Sequence, residues 1–244
     1  MLMEAGAGLP PPSGIAHNVA MTAARPPFFP VFLDLRDKPV VVVGGGEVAA
    51  RKARALARCG AHVTVVAPEL CDELAERVRK GAPRHRAKRF DDDDLAGAEM
   101  AIAATDDARV NAAVAEAARA AGIPVNVADD PAHSSFLMAS VVERGPVQVA
   151  ISTSGTSPAL VRRLRARVEG AIPEGYAALA ALAGRFRAEA IRRLPDPDAR
   201  KRFWERVMEG PVAAMALEGR EGEARAALQH ELDEAVRTAG HGRP

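Results

Sequence analysis

Three consecutive glycines, Gly44, Gly45 and Gly46, follow four consecutive valines and precede a segment with helical periodicity. Four valines in a row predict a strand that is buried on both faces, as in a parallel sheet. The first glycine permits a tight turn, the third lets the backbone approach a pyrophosphate, and the N-terminus of the following helix favours negative charge. Ala49 stands where a small residue lets this helix pack on the strand. Strand, glycine turn and helix together predict a dinucleotide site, although a glycine turn that binds nothing would have the same pattern.

A proline and a carboxylate follow the next predicted strand. Pro68 and Glu69 come directly after residues 62–67 (HVTVVA), roughly twenty residues beyond the glycines, where an acid commonly binds the adenosine ribose hydroxyls. A carboxylate at this point disfavours the 2′-phosphate of NADP, so Glu69 favours NAD as the cofactor. A turn carboxylate that faces water would have the same sequence.

Two further strands end in acidic residues. Thr105 and Asp106 stand at the end of the strand predicted over residues 100–105, and Asp129 follows the strand predicted over residues 124–128. Ligands of parallel sheets bind outside the carboxyl ends of the strands, so we expect these residues to meet the glycine turn along one edge. The pyrophosphate would lie at the first strand and the nicotinamide toward the fourth and fifth, which predicts Asp129 near the reactive end of the cofactor. The alternative role for Asp129 is a turn cap.

The order of the elements indicates the fold class. Strands and helices alternate over residues 40–128, which predicts an α/β fold with a doubly wound parallel sheet. Residues 136–143 and 146–153 then predict a hairpin instead of another crossover. Beyond residue 173 the sequence has helical periodicity.

A run of hydroxyl residues precedes an arginine-rich helix whose predicted cap is Ser157, with Pro158 as its first residue. Such a turn suits an anionic ligand, and a well-capped helix with a solvated basic face explains the pattern equally well. The candidate ligand-binding residues are Ser152, Thr153, Ser154, Gly155, Thr156, Arg162 and Arg163. The predicted apolar stripe of the helix consists of Leu160, Val161, Leu164 and Val168.

Composition narrows the class of protein. The formal net charge of +1 favours neither nucleic acid nor an acidic membrane surface as a partner. The two cysteines have no metal-ligand spacing, and the sequence shows neither an apolar run that could span a bilayer nor a secretory leader. These features favour a location in the cytoplasm. Residues 1–27, rich in Gly, Pro and Ala, predict a flexible tail, and the acidic run over residues 91–94 predicts a solvated turn.

Together these stretches resemble the precorrin-2 dehydrogenase / sirohydrochlorin ferrochelatase family, the N-terminal module of siroheme synthase. The resembling stretches are FPVFLDLRDKPVVVVGGGEVAARKA, AIAATDD, NVADDP with SSF, VQVAISTSGTSPALVRRLR and RKRFWE. They run in order from Phe29 to Glu205, and the chain resembles a version without the fused methyltransferase module of some relatives.

The resemblance implies NAD-dependent oxidation of precorrin-2 to sirohydrochlorin and, in many members, insertion of Fe²⁺ to give siroheme, which is a lyase activity. It implies a homodimer with the active site between the subunits. The implied organisation is a Rossmann domain over residues 28–135, a dimerisation region over residues 136–172 and a helical C-terminal domain over residues 173–244.

The resemblance also implies roles for single residues. Gly46, Glu47 and Val48 match the family's cofactor turn, and Pro68 with Glu69 matches its second cofactor contact. Asp129 matches the family's key active-site aspartate, which implies a proton acceptor and a transient contact for the metal, with no fixed metal site. His133 stands where some relatives carry lysine and Thr153 where some carry serine, and both differences bear on metal insertion.

Two other functions fit the same residues, and a third alternative is that the C-terminal half is purely a dimerisation element. One is an NAD-binding sensor without chemistry, which would bind no tetrapyrrole. The other is a dehydrogenase of a smaller acidic substrate, which would prefer a compact closed pocket.

Overall fold

The structure, a computed structural model, describes residues 28–241, so the tail predicted for residues 1–27 lies outside the described residues. Strands and helices alternate through the first half of the described chain. In chain order they are β1 (Pro39–Val43), α1 (Glu47–Arg58), β2 (His62–Val66), α2 (Asp72–Arg79), β3 (Arg84–Arg86), a short 3-10 helix (Asp92–Leu95), β4 (Met100–Ala103), α3 (Ala108–Ala120) and β5 (Val125–Val127).

The valine strand β1 lies at the centre of a five-stranded sheet. The strand order is β3-β2-β1-β4-β5, and all neighbouring strands are parallel. None of the four valines of β1 is more than 5% exposed, because helices cover both faces of the sheet. Val40 and Val42 pack toward α1 and α2, whereas Val41 and Val43 pack toward α3. The predicted α/β fold with a doubly wound parallel sheet is confirmed.

A hairpin and a helix follow the sheet. They are β6 (Ser140–Arg144), β7 (Val147–Ile151) and α4 (Pro158–Ala171), and the two strands pair in antiparallel fashion as predicted. Ser157 caps α4, because its side chain accepts a hydrogen bond from the Leu160 N–H at 3.2 Å. The apolar stripe predicted for α4 has no buried member within this chain, and Leu160 is 46% exposed.

The remaining helices are α5 (Gly175–Arg193), α6 (Pro197–Glu209), α7 (Pro211–Leu217) and α8 (Glu221–His241). They enclose a core of their own around Phe203, which is fully buried. The Phe203 ring contacts Trp204 with a centroid distance of 4.8 Å. Within residues 28–241, no helix combines the length and the apolar character needed to cross a membrane.

The acidic run over residues 91–94 is exposed at Asp91, Asp92 and Asp93, as the sequence predicts, but not at Asp94. Asp94 is 2% exposed, and its carboxylate pairs with Arg86 at 2.9 Å and with Lys88 at 3.1 Å. Burial raises the pKa of Asp94, but hydrogen bonds from the Asp91 backbone N–H, Arg86 and Lys88 outweigh burial and hold that pKa below its ordinary value. The carboxylate therefore ties the edge strand β3 to the 3-10 helix.

Asp94→Asn should lower the free energy of unfolding by about 1–3 kcal/mol at pH 7, because two cations lose their buried partner. The pKa of Asp94 is lowered in the folded state, so the unfolded chain binds more protons there and stability rises with pH. The contribution is complete above the pKa of an unfolded Asp, about 3.9, and is lost as the pH falls through the folded pKa. Urea unfolding should show a smaller difference between variant and parent at about pH 3 than at pH 7.

The exposed neighbour provides the control for this measurement. Asp93→Asn removes the same charge from the same run, and we expect a change within about 0.5 kcal/mol. Equal losses for the two variants would contradict the assignment of the buried ion pair.

Candidate active site

The glycine turn between β1 and α1 is held by contacts that no side chain would permit. Gly44 has φ +129°, and a Cβ atom there would lie 2.2 Å from the Ala104 carbonyl oxygen. A Cβ atom on Gly45 would lie 1.8 Å from the Glu69 carbonyl oxygen. The turn therefore packs closely between the loop after β2 and the loop after β4, at the carboxyl edge of the sheet.

Gly46 differs from the two glycines before it. It has φ −86°, which any residue adopts, and no atom lies within 4 Å of the position that its Cβ would occupy. No side chain caps α1, whose first turn contains Glu47 and Val48. Packing within the described chain therefore does not require glycine at residue 46, and the open space lies at a helix N-terminus that favours an anion.

The second predicted contact adjoins this turn. Pro68 and Glu69 lie exposed between β2 and α2, and the Cys71 N–H donates a hydrogen bond of 2.7 Å to the Gly45 carbonyl. The structure therefore brings the Glu69 loop and the glycine turn together, as the sheet-edge argument predicts.

Thr105 is held by a residue that the sequence analysis did not single out. Asn111 Oδ1 lies 2.8 Å from the Thr105 hydroxyl and accepts the Thr105 N–H at 3.1 Å, and Asn111 Nδ2 donates to the Thr105 carbonyl at 2.9 Å. Asp107 caps α3 by accepting the Arg109 N–H at 2.9 Å. These bonds fix the loop after β4 and leave the exposed Asp106 at its tip.

Asp129 follows β5 in a left-handed conformation with φ 58° and is exposed. β5 lies two strands from β1, about 10 Å at ordinary strand spacing. The turn cap is the neighbouring Asp130, which accepts the Ala132 N–H at 3.0 Å and pairs with His133 Nδ1 at 2.6 Å. The hydrogen bond from His133 is the main reason why the pKa of Asp130 lies below its ordinary value. The Asp129 carboxylate makes no hydrogen bond with residues 28–241, so it stays available to a ligand.

The hydroxyl-rich turn approaches the Asp129 loop from the hairpin side. Gly155 has φ +83°, and a Cβ atom there would lie 2.8 Å from Pro131 Cγ. The Thr153 hydroxyl accepts the Ser157 N–H at 3.1 Å, and the Thr156 hydroxyl donates to the Thr153 carbonyl at 2.6 Å. The polar side chains that are exposed near this turn include Ser152, Ser154, Thr156, Arg162 and Arg163.

Lys52 is a further residue of this region that the sequence analysis missed. Its ammonium group donates to Asn126 Oδ1 at 2.9 Å and lies 3.5 Å from Met138 Sδ. Burial lowers the pKa of Lys52, repulsion by Arg51 lowers it further, and attraction by Asp129 opposes both. A signal was present in the sequence, because residue 52 falls on the same helical stripe as the apolar residues at 49 and 56.

Three family models match successive parts of the chain. The model described as putative NAD(P)-binding matches residues 31–140. The model of the siroheme biosynthesis protein central region matches residues 144–171, and that of the siroheme synthase dimerisation region matches residues 175–232.

Curated relatives and a solved structure agree with these matches. The siroheme synthase of Nitrosospira multiformis is 52% identical over 210 residues, which are 84% of this chain and 44% of the relative. The siroheme synthase of Thioalkalivibrio sulfidiphilus is 45% identical over 88% of this chain and 44% of its own length. The chain therefore spans less than half the length of these relatives.

The solved structure described as SirC, precorrin-2 dehydrogenase, aligns with a TM-score of 0.65 and 26% identity over 86% of this chain and 100% of its own. The resemblance read from the sequence is confirmed. Over residues 31–232 the chain is therefore similar to the siroheme synthase and precorrin-2 dehydrogenase family.

Proposed function

We propose that the chain oxidises precorrin-2 to sirohydrochlorin with NAD⁺, as a step of siroheme biosynthesis. The proposal depends mainly on one observation. The glycine turn, the Glu69 loop and the Asp129 loop all lie at the carboxyl edge of the parallel sheet. We assign the reaction to the cytoplasm, where free cysteines such as Cys59 and Cys71 persist.

The residues at this edge fit a dinucleotide. The open space at Gly46 and the uncapped N-terminus of α1 would hold the pyrophosphate, with backbone N–H groups near Glu47 and Val48 as donors. Pro68 and Glu69 would contact the adenosine ribose, and the negative charge of Glu69 favours NAD over NADP. Thr105 and Asp106 would lie toward the nicotinamide. When bound, NAD⁺ supplies the hydride acceptor of the oxidation.

Asp129 is the group that we assign to proton transfer. The oxidation removes a hydride and a proton from the substrate, and the Asp129 carboxylate accepts the proton as general base. Its exposure and its lack of a hydrogen-bond donor among residues 28–241 support this role.

The substrate is a macrocycle with many carboxylates, so the site needs several donors beside Asp129. Arg162 and Arg163 supply charge, and the hydroxyl turn supplies neutral donors next to Pro131. His133 is a further donor on the same loop as Asp129. The residues of the turn that we assign to substrate binding are Ser152, Thr153, Ser154, Gly155 and Thr156.

We further propose that Fe²⁺, as a substrate, enters sirohydrochlorin at the same site. The Asp129 carboxylate would accept pyrrole protons and contact the metal ion transiently. A carboxylate oxygen suits this brief contact, and its exposure supports access for the ion.

Asp129→Asn should lower kcat for NAD⁺-dependent oxidation of precorrin-2 by about 10²–10⁴-fold, because it removes the general base. The dissociation constant for NAD⁺ should stay within about twofold of the parent value. Absorbance of the product measures turnover, and addition of Fe²⁺ to the product reports metal insertion by a second spectral change. Unchanged turnover would remove Asp129 from the mechanism, and NAD⁺ binding without any tetrapyrrole binding would favour a sensor.

The glycines test the cofactor site separately. Gly46→Ala should weaken NAD⁺ binding about tenfold or more, or about 1.4 kcal/mol, and leave the urea unfolding midpoint unchanged, because its Cβ meets no protein atom. Gly44→Ala should instead lower the free energy of unfolding by more than about 1 kcal/mol, because of its positive φ and its contact with Ala104. Equal NAD⁺ affinity of the Gly46→Ala variant and the parent would exclude this position for the pyrophosphate.

We propose that the protein is a homodimer that associates through residues 136–172, between a cofactor domain over residues 28–135 and a helical domain over residues 173–244. The apolar stripe of α4 has no buried member within the chain. The helical segment, by contrast, encloses its own core around Phe203. Unburied apolar area on α4 supports an interface there.

Leu160→Glu should weaken the dimer by about 2 kcal/mol or more, because it introduces a charge into the proposed interface. Light scattering across a dilution series measures the change. The family model of the dimerisation region matches residues 175–232, which is the competing location for the interface. Ile191→Glu tests that location, since Ile191 is 48% exposed and lies on α5 within those residues. If Ile191→Glu dissociated the dimer and Leu160→Glu did not, the interface would have to be assigned to the helical segment.

A further inference from the structure

Lys52 is a cation on the buried side of a helix. The residues one turn before and after it on the same stripe, Ala49 and Leu56, are at most 4% exposed. Its ammonium group reaches across to β5, where it donates to Asn126 Oδ1 at 2.9 Å. A lysine placed this way loses much of its hydration. The folded state is therefore stabilised only if the ammonium group keeps polar partners.

Asn126 joins three segments of the chain. It is 5% exposed and faces α1, whereas its neighbours on β5, Val125 and Val127, pack on the other face of the sheet. Its Nδ2 donates to the Phe136 carbonyl at 3.1 Å while its Oδ1 accepts from Lys52. The junction therefore connects α1, which begins at the glycine turn, with β5, which leads into Asp129, and with the segment that enters the hairpin.

Charge reinforces this connection. The charged groups that act on Lys52 are Arg51 on its own helix and Asp129 on the loop after β5. The segment around residue 136 contributes a carbonyl and the Met138 sulfur, which carry no net charge. Lys52 is half-buried whereas Asp129 is exposed, so solvent screens part of the attraction between them.

We propose that Lys52 is a positioning residue for the precorrin-2 oxidation, an inference that rests on the proposed function. Its hydrogen bond to Asn126 fixes β5 against the cofactor-binding helix, and its charge draws the Asp129 carboxylate toward one orientation. No hydrogen bond from residues 28–241 restrains that carboxylate, so its orientation is free to respond to the charge of Lys52. Lys52 acts through Asp129 and does not itself contact the reacting atoms.

Lys52→Gln tests this role, because glutamine can still donate a hydrogen bond to Asn126 but carries no charge. We expect kcat for precorrin-2 oxidation to fall about tenfold or more, with the dissociation constant for NAD⁺ within about twofold of the parent. Lys52→Arg should restore at least part of the loss in kcat, since it keeps the charge. Arg51→Gln removes the same charge from the adjacent exposed position and should leave kcat within about twofold of the parent.

A double-mutant cycle separates positioning from a purely structural role. In an Asp129→Asn background, measured by single turnover, Lys52→Gln should change the rate by less than about twofold, since its effect passes through Asp129. An equal effect in both backgrounds, or full activity of Lys52→Gln alone, would overturn the inference. An unaltered chain that does not oxidise precorrin-2 would instead refute the proposed function, and the positioning role with it.

Discussion

No side-chain carbon fits at residues 44 and 45. Because both residues are glycine, three loops can pack closely together at one edge of the sheet. The carbonyl oxygens of Ala104 and Glu69 approach the glycine turn so closely that a Cβ atom would stand 2.2 Å and 1.8 Å from them. The loop after β2 and the loop after β4 therefore keep a fixed place on either side of the turn. Gly46, free of such contacts, is left facing open space at the start of α1. Gly44 and Gly45 are thus required for packing, whereas Gly46 leaves space for a ligand.

Polar groups inside the sheet region have a comparable role. Asn126 and Asp94 are nearly inaccessible to solvent, and each accepts a hydrogen bond from a cation on a different element, Lys52 on α1 and Arg86 on β3. Satisfied buried polar groups specify one arrangement of the segments that they join, because any other arrangement leaves them unpaired. At β3 the result is an anchored sheet edge, and at β5 it is a strand whose end carries the proposed general base.

The sequence was sufficient to predict features that depend on local pattern. The valines of β1, the glycine turn and the Ser157 cap all follow from periodicity and backbone conformation, and the structure agrees. Prediction failed where the outcome depends on contacts between side chains of different elements and loops. The burial of Asp94 requires β3 to lie beside the 3-10 helix, and the role of Asn111 requires the loop after β4 to fold back. Lys52 and Asn126 are 74 residues apart, so no short window could relate them.

The contact of Gly155 with Pro131 has a consequence for how this architecture can be modified. The loop after β5 and the loop after β7 pack closely against each other there, so a change in the length of one would disturb the other. At the opposite edge, Gly97 and Gly122 precede β4 and β5, and a Cβ atom on either would meet nothing within 4 Å. Changes of loop length should therefore be tolerated better before β4 and β5 than in the two loops that meet at Gly155 and Pro131.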